Sequence, residues 1–292
     1  MKEEVRQIQR MLEEQVYITD AAVATALYLS LTLGKPLLVE GPAGVGKTEI
    51  AKALANALAT KLIRLQCYEG LDSTTALYEW NYPKQLLHVK LEEASPISEA
   101  EKEAEIFSDA FLLKRPLLQA ITEHERPPVL LIDEIDRSDE EFEAFLLEVL
   151  SDFQVTIPEI GTIKATHRPH VVLTSNRSRD LSDALRRRCL YHWIDYPSLE
   201  KELEIVRAKV PALAASLAMQ VAKVMQATRT INLSKVPGVA ETLDWANALV
   251  ALQATELDNT IINETIGCFL KDETDIASFK MELEVGRFEA AD

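Results

Sequence analysis

Cysteine is scarce in this chain of 292 residues, and its three copies, Cys67, Cys189 and Cys268, lie far apart. An odd number of cysteines without close pairs encodes neither a disulfide framework nor a CxxC metal site. Reduced thiols in a cytosolic protein are the interpretation that this usage favours.

Long apolar runs are missing as well. The first residues, MKEEVRQIQRMLEEQ, mix both charges without an apolar core, which argues against a signal peptide. The longest run without charge, AAVATALYLSLTLG at 21–34, is shorter than the ~20 residues that cross a bilayer, and it predicts a buried helix. We therefore expect a cytoplasmic protein, and association with a membrane through partners is left open.

Basic residues are outnumbered, since 31 Lys and Arg face 47 Asp and Glu and leave a net charge of −16. Such a field repels phosphate backbones, so we expect no nucleic-acid partner. With 47% apolar residues and only 9 glycines and 12 prolines, the composition is that of a folded globular protein of one large or two ordinary domains.

What the sequence does contain is a series of short apolar runs, at 37–40, 61–67, 128–133 and 170–176. Continuous apolar runs of this length are typical of strands buried on both faces, as in a parallel sheet with helices above and below. After about residue 198 the pattern becomes helical. We predict an α/β domain at 1–195, with N-terminal helices, and an all-helical domain at 196–292.

The first run leads into GPAGVGKT at 41–48, which fits the pattern GxxxxGK[ST] between a strand and a helix. Glycines let successive N–H groups face inward, and the start of the next helix completes a nest for phosphate oxygens. Lys47 is predicted to reach the β and γ phosphates, and the Thr48 hydroxyl to ligate Mg²⁺. The predicted nucleotide-binding residues are Gly41, Pro42, Ala43, Gly44, Val45, Gly46, Lys47, Thr48, Glu49 and Asp133.

The third run, in PVLLIDEID, places Asp133 and Glu134 at the carboxyl end of a strand, where ligand sites form in open α/β sheets. We predict that Asp133 holds the magnesium through its water shell and that Glu134 polarises an attacking water. Asp136 is explained by the preference of carboxylates for a helix start and receives no catalytic role.

Two weaker signals follow. Asn176 ends VVLTSN, where an amide could orient the water, although turn formers are also common there. Beyond it, LSDALRRRC carries Arg186, Arg187 and Arg188, and a guanidinium is suited to stabilise a transferring phosphoryl group from a neighbouring subunit. Solvated surface arginines remain the alternative.

Taken in order, GPAGVGKT, LLIDEID, VVLTSN and LSDALRRRC, followed by helices, resemble the AAA+ ATPases. The stretch AFLLEVLSDFQVTIPEIGTIKATHRPHVVLTSNRS at 144–178, read as a helix, a β-hairpin and the asparagine strand, resembles the MoxR branch. RLQCYEGLDSTTALYEWNYPKQLL and KVPGVAETLDWANAL are most similar to CoxD-like members, accessory ATPases of molybdenum-copper carbon monoxide dehydrogenase maturation.

The resemblance implies an αβα ATPase domain with a helical lid, ATP and Mg²⁺ as cofactors, and a ring of subunits that is usually hexameric. It also implies chaperone-like remodelling of a client metalloenzyme, often with a partner that carries a von Willebrand A domain. By position, Lys47 and Thr48 match Walker A, Asp133 and Glu134 match Walker B, and Asn176 matches the sensor asparagine. Arg188 is the first choice for the arginine finger and Arg187 the reserve.

One departure concerns the start of the lid helix, where family members commonly carry an arginine that senses the γ-phosphate. This chain offers Glu241 and Thr242 in that neighbourhood. How the lid is coupled to the nucleotide is therefore an open question. Two alternatives remain: a weaker hydrolytic cycle, or a sensing role carried by another residue.

Three other functions compete with an ATP-driven remodeller. A small-molecule kinase of the phosphate-loop class is disfavoured by the IDEID motif. A GTPase is disfavoured because the sequence contains no NKxD-type guanine-reading motif. A catalytically idle nucleotide-binding scaffold is the third.

The aromatic residues Tyr78, Trp80 and Tyr82 allow two interpretations. They either form an exposed loop that contacts a client or, as ordinary packing favours, belong to the core or to a subunit interface.

Overall fold

The computed structural model describes residues 2–91 and 98–285. The helices are α1 Glu3–Glu14, α2 Ala21–Leu33, α3 Lys47–Ala57, α4 Ser73–Leu77, α5 Tyr82–Leu91, α6 Glu99–Ile106, α7 Pro116–Ile121, α8 Glu140–Asp152, α9 Asp183–Arg188, α10 Leu199–Lys209, α11 Ala215–Thr228, α12 Val239–Ala251, α13 Asn259–Thr265 and α14 Glu273–Glu284. The strands are β1 Leu37–Glu40, β2 Leu62–Gln66, β3 Tyr78–Trp80, β4 Leu112–Lys114, β5 Val129–Asp133, β6 Gln154–Ile157, β7 Gly161–Lys164, β8 His170–Ser175 and β9 Leu190–Trp193.

A five-stranded sheet in the order β2-β5-β8-β1-β9 organises the α/β part. β2 pairs in parallel with β5, and β5 with β8. The four strands expected from apolar runs are all present, with ends that differ by at most one residue from the prediction. Because every residue of β1 and β5 is buried, these strands read as continuous apolar runs.

The fifth strand, β9, was not predicted from the sequence. His192 interrupts the apolar residues of LYHW, and the residues of the strand alternate between partly buried and exposed. The N–H of Leu190 donates to the carbonyl of Pro36, and the N–H of Ile194 donates to that of Glu40. These bonds advance along both strands in the same direction, so β9 lies parallel to β1.

Two antiparallel pairs lie outside the large sheet. β6 and β7 form the hairpin expected between α8 and β8, with Ile157 opposite Gly161. β3 pairs with β4. Trp80 at the end of β3 is 5% exposed and contacts the rings of Tyr78 and Phe107 edge-on, whereas Tyr82 is 60% exposed. The core interpretation therefore holds for Trp80, and Tyr82 is left at the surface.

Contacts group the described residues into two compact units, each discontinuous in sequence. One takes in residues 2–24, 40–53 and 193–285, and the other takes in residues 25–39, 54–91 and 98–192. The predicted division at 195/196 stays a prediction, because the units follow contacts rather than the order of the chain.

Each unit has its own apolar core. In the second unit the core joins strand residues such as Ile132 and Leu173 to helix residues such as Leu118 and Leu146. In the first, helices after Ser198 pack around Trp245 and Phe269, and the indole N–H of Trp245 donates to the Thr265 hydroxyl at 2.8 Å. The predicted all-helical character of this region is confirmed for the residues described through 285.

Candidate nucleotide-binding and hydrolysis site

The loop of residues 41–48 lies between the end of β1 and the first turn of α3. Lys47 begins that helix, is only 6% exposed, and directs its Nζ back into the loop. The ammonium donates to the carbonyls of Gly41 at 2.9 Å and Pro42 at 2.6 Å. The loop carbonyls thus hold the Lys47 ammonium, whose positive charge suits an anionic ligand.

Gly41 is fixed by a close approach. A Cβ at this position would lie 2.1 Å from the carbonyl oxygen of Ile194, whose own N–H donates to the Glu40 carbonyl at 2.8 Å. No side chain fits there without a shift of backbone. The first glycine of the motif is therefore required by packing as well as by turn geometry.

A second backbone contact joins the loop to the first turn of α12. The N–H of Ala240 donates to the carbonyl of Gly44 at 3.1 Å. Gly44 has φ +74°, and a Cβ on Gly238 would lie 2.7 Å from the Ala43 carbonyl oxygen. Only glycine at 238 permits this approach.

The residues that stand where the family commonly carries a lid arginine are already engaged. Glu241 caps its own helix, since its carboxylate accepts the N–H of Gly238 at 2.8 Å. Thr242 is fully buried and donates to Glu202 at 2.6 Å. Thr242 therefore has no path to a bound ligand, and a close backbone contact stands at this helix start where the family commonly has an arginine.

The turn before α12 is held by a buried ion pair. Arg229 donates from Nη1 and Nη2 to the two carboxylate oxygens of Glu202, each at 2.6 Å, and from Nε to the carbonyl of Pro237 at 2.8 Å. Because both partners are buried and the guanidinium bonds are satisfied, the pair fixes the backbone that precedes Gly238. Sequence reasoning did not find this pair.

The remaining residues predicted for nucleotide binding lie in the loop or at the start of α3. Glu49 is in the first turn of α3, is 44% exposed, and pairs with Lys52 at 2.5 Å. Thr48 precedes it and is partly buried. The loop residues not yet placed are Val45, which is buried, and Gly46, which is partly buried.

Asp133 is the last residue of β5 and is 2% exposed. Its Oδ1 accepts the Thr174 hydroxyl at 2.5 Å, and its Oδ2 accepts Nε and Nη2 of Arg64 at 3.0 and 2.6 Å. The pKa of the neighbouring Cys67 thiol is raised to about 12, first by burial and then by the Asp133 charge. The strand end is thus a buried site of negative charge that attracts cations.

Glu134, the next residue, has a left-handed backbone with φ 54° and ψ 51°. Its N–H donates to the Thr174 hydroxyl at 2.9 Å, while its carboxylate is 33% exposed and lies 3.3 Å from Arg137. Such a conformation is costly for a non-glycine residue and persists where the surroundings hold it, often at functional sites. It separates a solvent-reaching carboxylate at 134 from the buried one at 133.

Asp136, which received no catalytic role, organises the loop after β8. It is buried, and its Oδ2 accepts the N–H of Asn176 at 3.2 Å, the N–H of Ser178 at 2.8 Å and the Ser178 hydroxyl at 2.7 Å. Asn176 is partly exposed directly after β8. The structure therefore brings Asn176 to the same strand edge as Asp133 and Glu134, through a carboxylate that sequence reasoning assigned to a helix start.

The three consecutive arginines lie on α9, in its last turn. Arg188 donates from Nη1 to the Leu147 carbonyl at 2.7 Å, and Arg186 lies 4.0 Å from Asp180. Arg187 is exposed, and no hydrogen bond or ion pair is recorded for it within 2–91 and 98–285. Both finger candidates are thus near the surface, and Arg188 is tied to its own chain.

Residues 37–194 match the family model described as "ATPase family associated with various cellular activities (AAA)". This stretch contains the loop, the β5 carboxylates, Asn176 and the arginines. The chain belongs to the AAA family. As an AAA ATPase it combines the parallel five-stranded sheet with a helical C-terminal region.

The individual proteins that resemble this AAA chain share about a third of its residues or fewer. An uncharacterized protein of Staphylococcus haemolyticus is 25% identical over 94% of this chain and 99% of its own length. Chaperone protein ClpB 2 of Parasynechococcus marenigrum is 32% identical over 47% of this chain and 13% of its own length. The structure of a point mutant of Thermotoga maritima RuvB aligns over 97% of this chain and 78% of its own, with 20% identity and a TM-score of 0.50, which is a likeness of fold.

Within residues 2–91 and 98–285, no helix combines the length and the apolar character that a bilayer span requires.

Proposed function

We propose that this AAA protein hydrolyses ATP with magnesium through the residues that the sequence motifs single out. The loop of 41–48 binds the phosphates, Lys47 contacts the β and γ phosphates, and Glu134 activates the attacking water. Asn176 orients that water. The convergence of these groups on one triphosphate is part of the proposal.

Magnesium suits the donors in question. Asp133 offers carboxylate oxygens and Thr48 a hydroxyl, and hard oxygen donors are what Mg²⁺ prefers. The buried Asp133 carboxylate also takes a cationic partner in the structure, the Arg64 guanidinium at 2.6 Å. When bound, the metal neutralises charge on the phosphates.

The observation that carries the proposal is the division of labour at the end of β5. Asp133 is buried and bonded on both oxygens, while Glu134 turns through a left-handed residue and keeps a partly exposed carboxylate. Thr174 connects them, donating to Asp133 and accepting from the Glu134 N–H. This division supports a cation-holding role for Asp133 and a water-activating role for Glu134.

Assembly is the second part of the proposal. The AAA family is generally oligomeric, and we propose a homo-oligomeric ring, hexameric as the MoxR resemblance implies, with an arginine of α9 acting on the neighbouring subunit's nucleotide. Arg188 is our first candidate and Arg187 the reserve. The exposure of the last turn of α9 supports both.

The third part concerns the client. The match to a protein named chaperone ClpB 2 supports chaperone-like remodelling. The narrower resemblance to MoxR and CoxD-like members adds a client metalloenzyme, carbon monoxide dehydrogenase among the candidates, and a partner with a von Willebrand A domain.

One experiment tests the first two parts together. The purified chain is given ATP and Mg²⁺, and phosphate release and particle mass are measured on the same sample. We expect steady phosphate release from particles several times the 32.7 kDa of one chain. A monomer that transfers phosphate to a small molecule would instead indicate a kinase, and nucleotide binding without release would indicate a scaffold.

A further inference from the structure

Arg64 lies in the middle of β2, a strand otherwise made of apolar residues and Gln66. Its side chain is half-exposed, yet it reaches the buried Asp133 of the neighbouring strand. The backbone register places Gln66, and not Arg64, opposite Asp133. The guanidinium therefore extends along the strand to make this contact.

The contact uses the acceptor capacity that a metal would need. A carboxylate oxygen has two lone-pair positions, and Oδ2 of Asp133 accepts two donors of Arg64, Nε at 3.0 Å and Nη2 at 2.6 Å. The Thr174 hydroxyl occupies Oδ1 at 2.5 Å. A cation or its water shell at Oδ2 must displace or share the guanidinium, and two positive charges at one oxygen repel each other.

The guanidinium also has a second acceptor within reach. Nη2 of Arg64 donates to Oε1 of Gln66 at 2.5 Å, on the same strand. If Arg64 gives up Asp133, this bond remains, so a half-exposed side chain can change partners at little cost in desolvation.

We propose that Arg64 is a positioning residue that competes with Mg²⁺ for Asp133 and so sets the magnesium concentration at which nucleotide is bound. The proposal rests on the proposed function, in which Asp133 holds the metal. Arg64 keeps the buried carboxylate neutralised and oriented when magnesium is low, and it yields Oδ2 when magnesium is high.

The test measures binding rather than turnover. A fluorescent ATP analogue is added in EDTA, and Mg²⁺ is titrated while fluorescence is followed for wild type, Arg64→Gln and Arg64→Lys. We expect the half-saturating Mg²⁺ concentration of Arg64→Gln to fall about fivefold, the size expected for a half-exposed charge-assisted bond pair, with Arg64→Lys in between. The melting temperature in EDTA should be lower for Arg64→Gln than for wild type. The difference between the two melting temperatures should become smaller when Mg²⁺ and ADP are added.

Lys61→Gln is the matched control. Lys61 directly precedes β2, is 60% exposed, and pairs with Glu123 at 2.7 Å, so the variant removes the same charge from the far end of the same strand. The half-saturating Mg²⁺ concentration (the magnesium midpoint) of Lys61→Gln should equal that of wild type.

The outcomes separate the two proposals. Wild type that binds the analogue, together with an Arg64→Gln midpoint that is unchanged or raised, would overturn the competition while leaving the ATPase proposal intact. Wild type that binds no analogue at any magnesium concentration would overturn both. If the half-saturating Mg²⁺ concentration falls equally in Lys61→Gln, the effect comes from the change in net charge, and the role of Arg64 is overturned as well.

Discussion

The two regions proposed to handle the nucleotide are held in shape by different means. The phosphate loop is fixed by backbone: Gly41 lies against Ile194, and Gly44 accepts the N–H of Ala240. The acidic strand end, defined as Asp133, Glu134 and Asp136, is fixed by side-chain hydrogen bonds from Arg64, Thr174 and Ser178. Substitutions in the loop should therefore disrupt it through steric clashes. Substitutions in the acidic strand end should act through a lost charge or a lost hydrogen bond.

The largest expected effect on stability is steric. Gly41→Ala puts a methyl group 2.1 Å from the Ile194 carbonyl, so backbone must move, at a cost of about 1–3 kcal/mol in the free energy of unfolding. Urea unfolding measures this cost. Gly267→Ala is the control, since its Cβ would meet nothing within 4 Å and should change stability by only about 0.5 kcal/mol. Equal losses in both variants would contradict the account of the loop.

The positive charge of Lys47 in the loop should affect ATP affinity more than the stability of the fold. Lys47→Ala removes the ammonium predicted to meet the β and γ phosphates, and ATP affinity should fall about 10–100-fold, as for a lost charge-assisted hydrogen bond. Calorimetric titration with ATP measures it. Lys52→Ala, on the same helix and paired with Glu49, should bind as wild type. If both lysines weaken binding alike, Lys47 has no special role.

The smallest effect is expected from mixed subunits. Arg188→Ala or Arg187→Ala chains are mixed with Glu134→Gln chains, and phosphate release is followed across mixing ratios. Some interfaces then pair an intact arginine with an intact Glu134, so partial recovery is expected for the arginine that acts in trans. The bond from Arg188 to Leu147 makes the comparison with Arg187 informative. No recovery with either variant, in oligomers of confirmed mass, would contradict a trans arginine.

The parts of the fold that could be predicted are those with local signals. Buried parallel strands such as β5 are continuous apolar runs, and the loop at 41–48 has a glycine pattern set by its own backbone. β9 escaped prediction because it is short and His192 interrupts its apolar residues.

The parts of the site that could not be predicted depend on distant partners. Arg64 reads as an interruption of a strand until Asp133 is placed beside it, 69 residues later. Gly238 reads as a helix start until Ala43 approaches it. Asp136 looked like a helix-start carboxylate, and its bonds to the loop after β8 arise only when β5 and β8 are neighbours.

The most direct test of the central claim is a paired measurement on Glu134→Gln. The variant keeps the loop and Asp133, so nucleotide affinity should stay within about twofold of wild type. Phosphate release should fall about 10²–10⁴-fold, because the water loses its activating carboxylate. Unchanged release with unchanged affinity would contradict the assignment of Glu134, and with it the account of the acidic strand end as the place of hydrolysis.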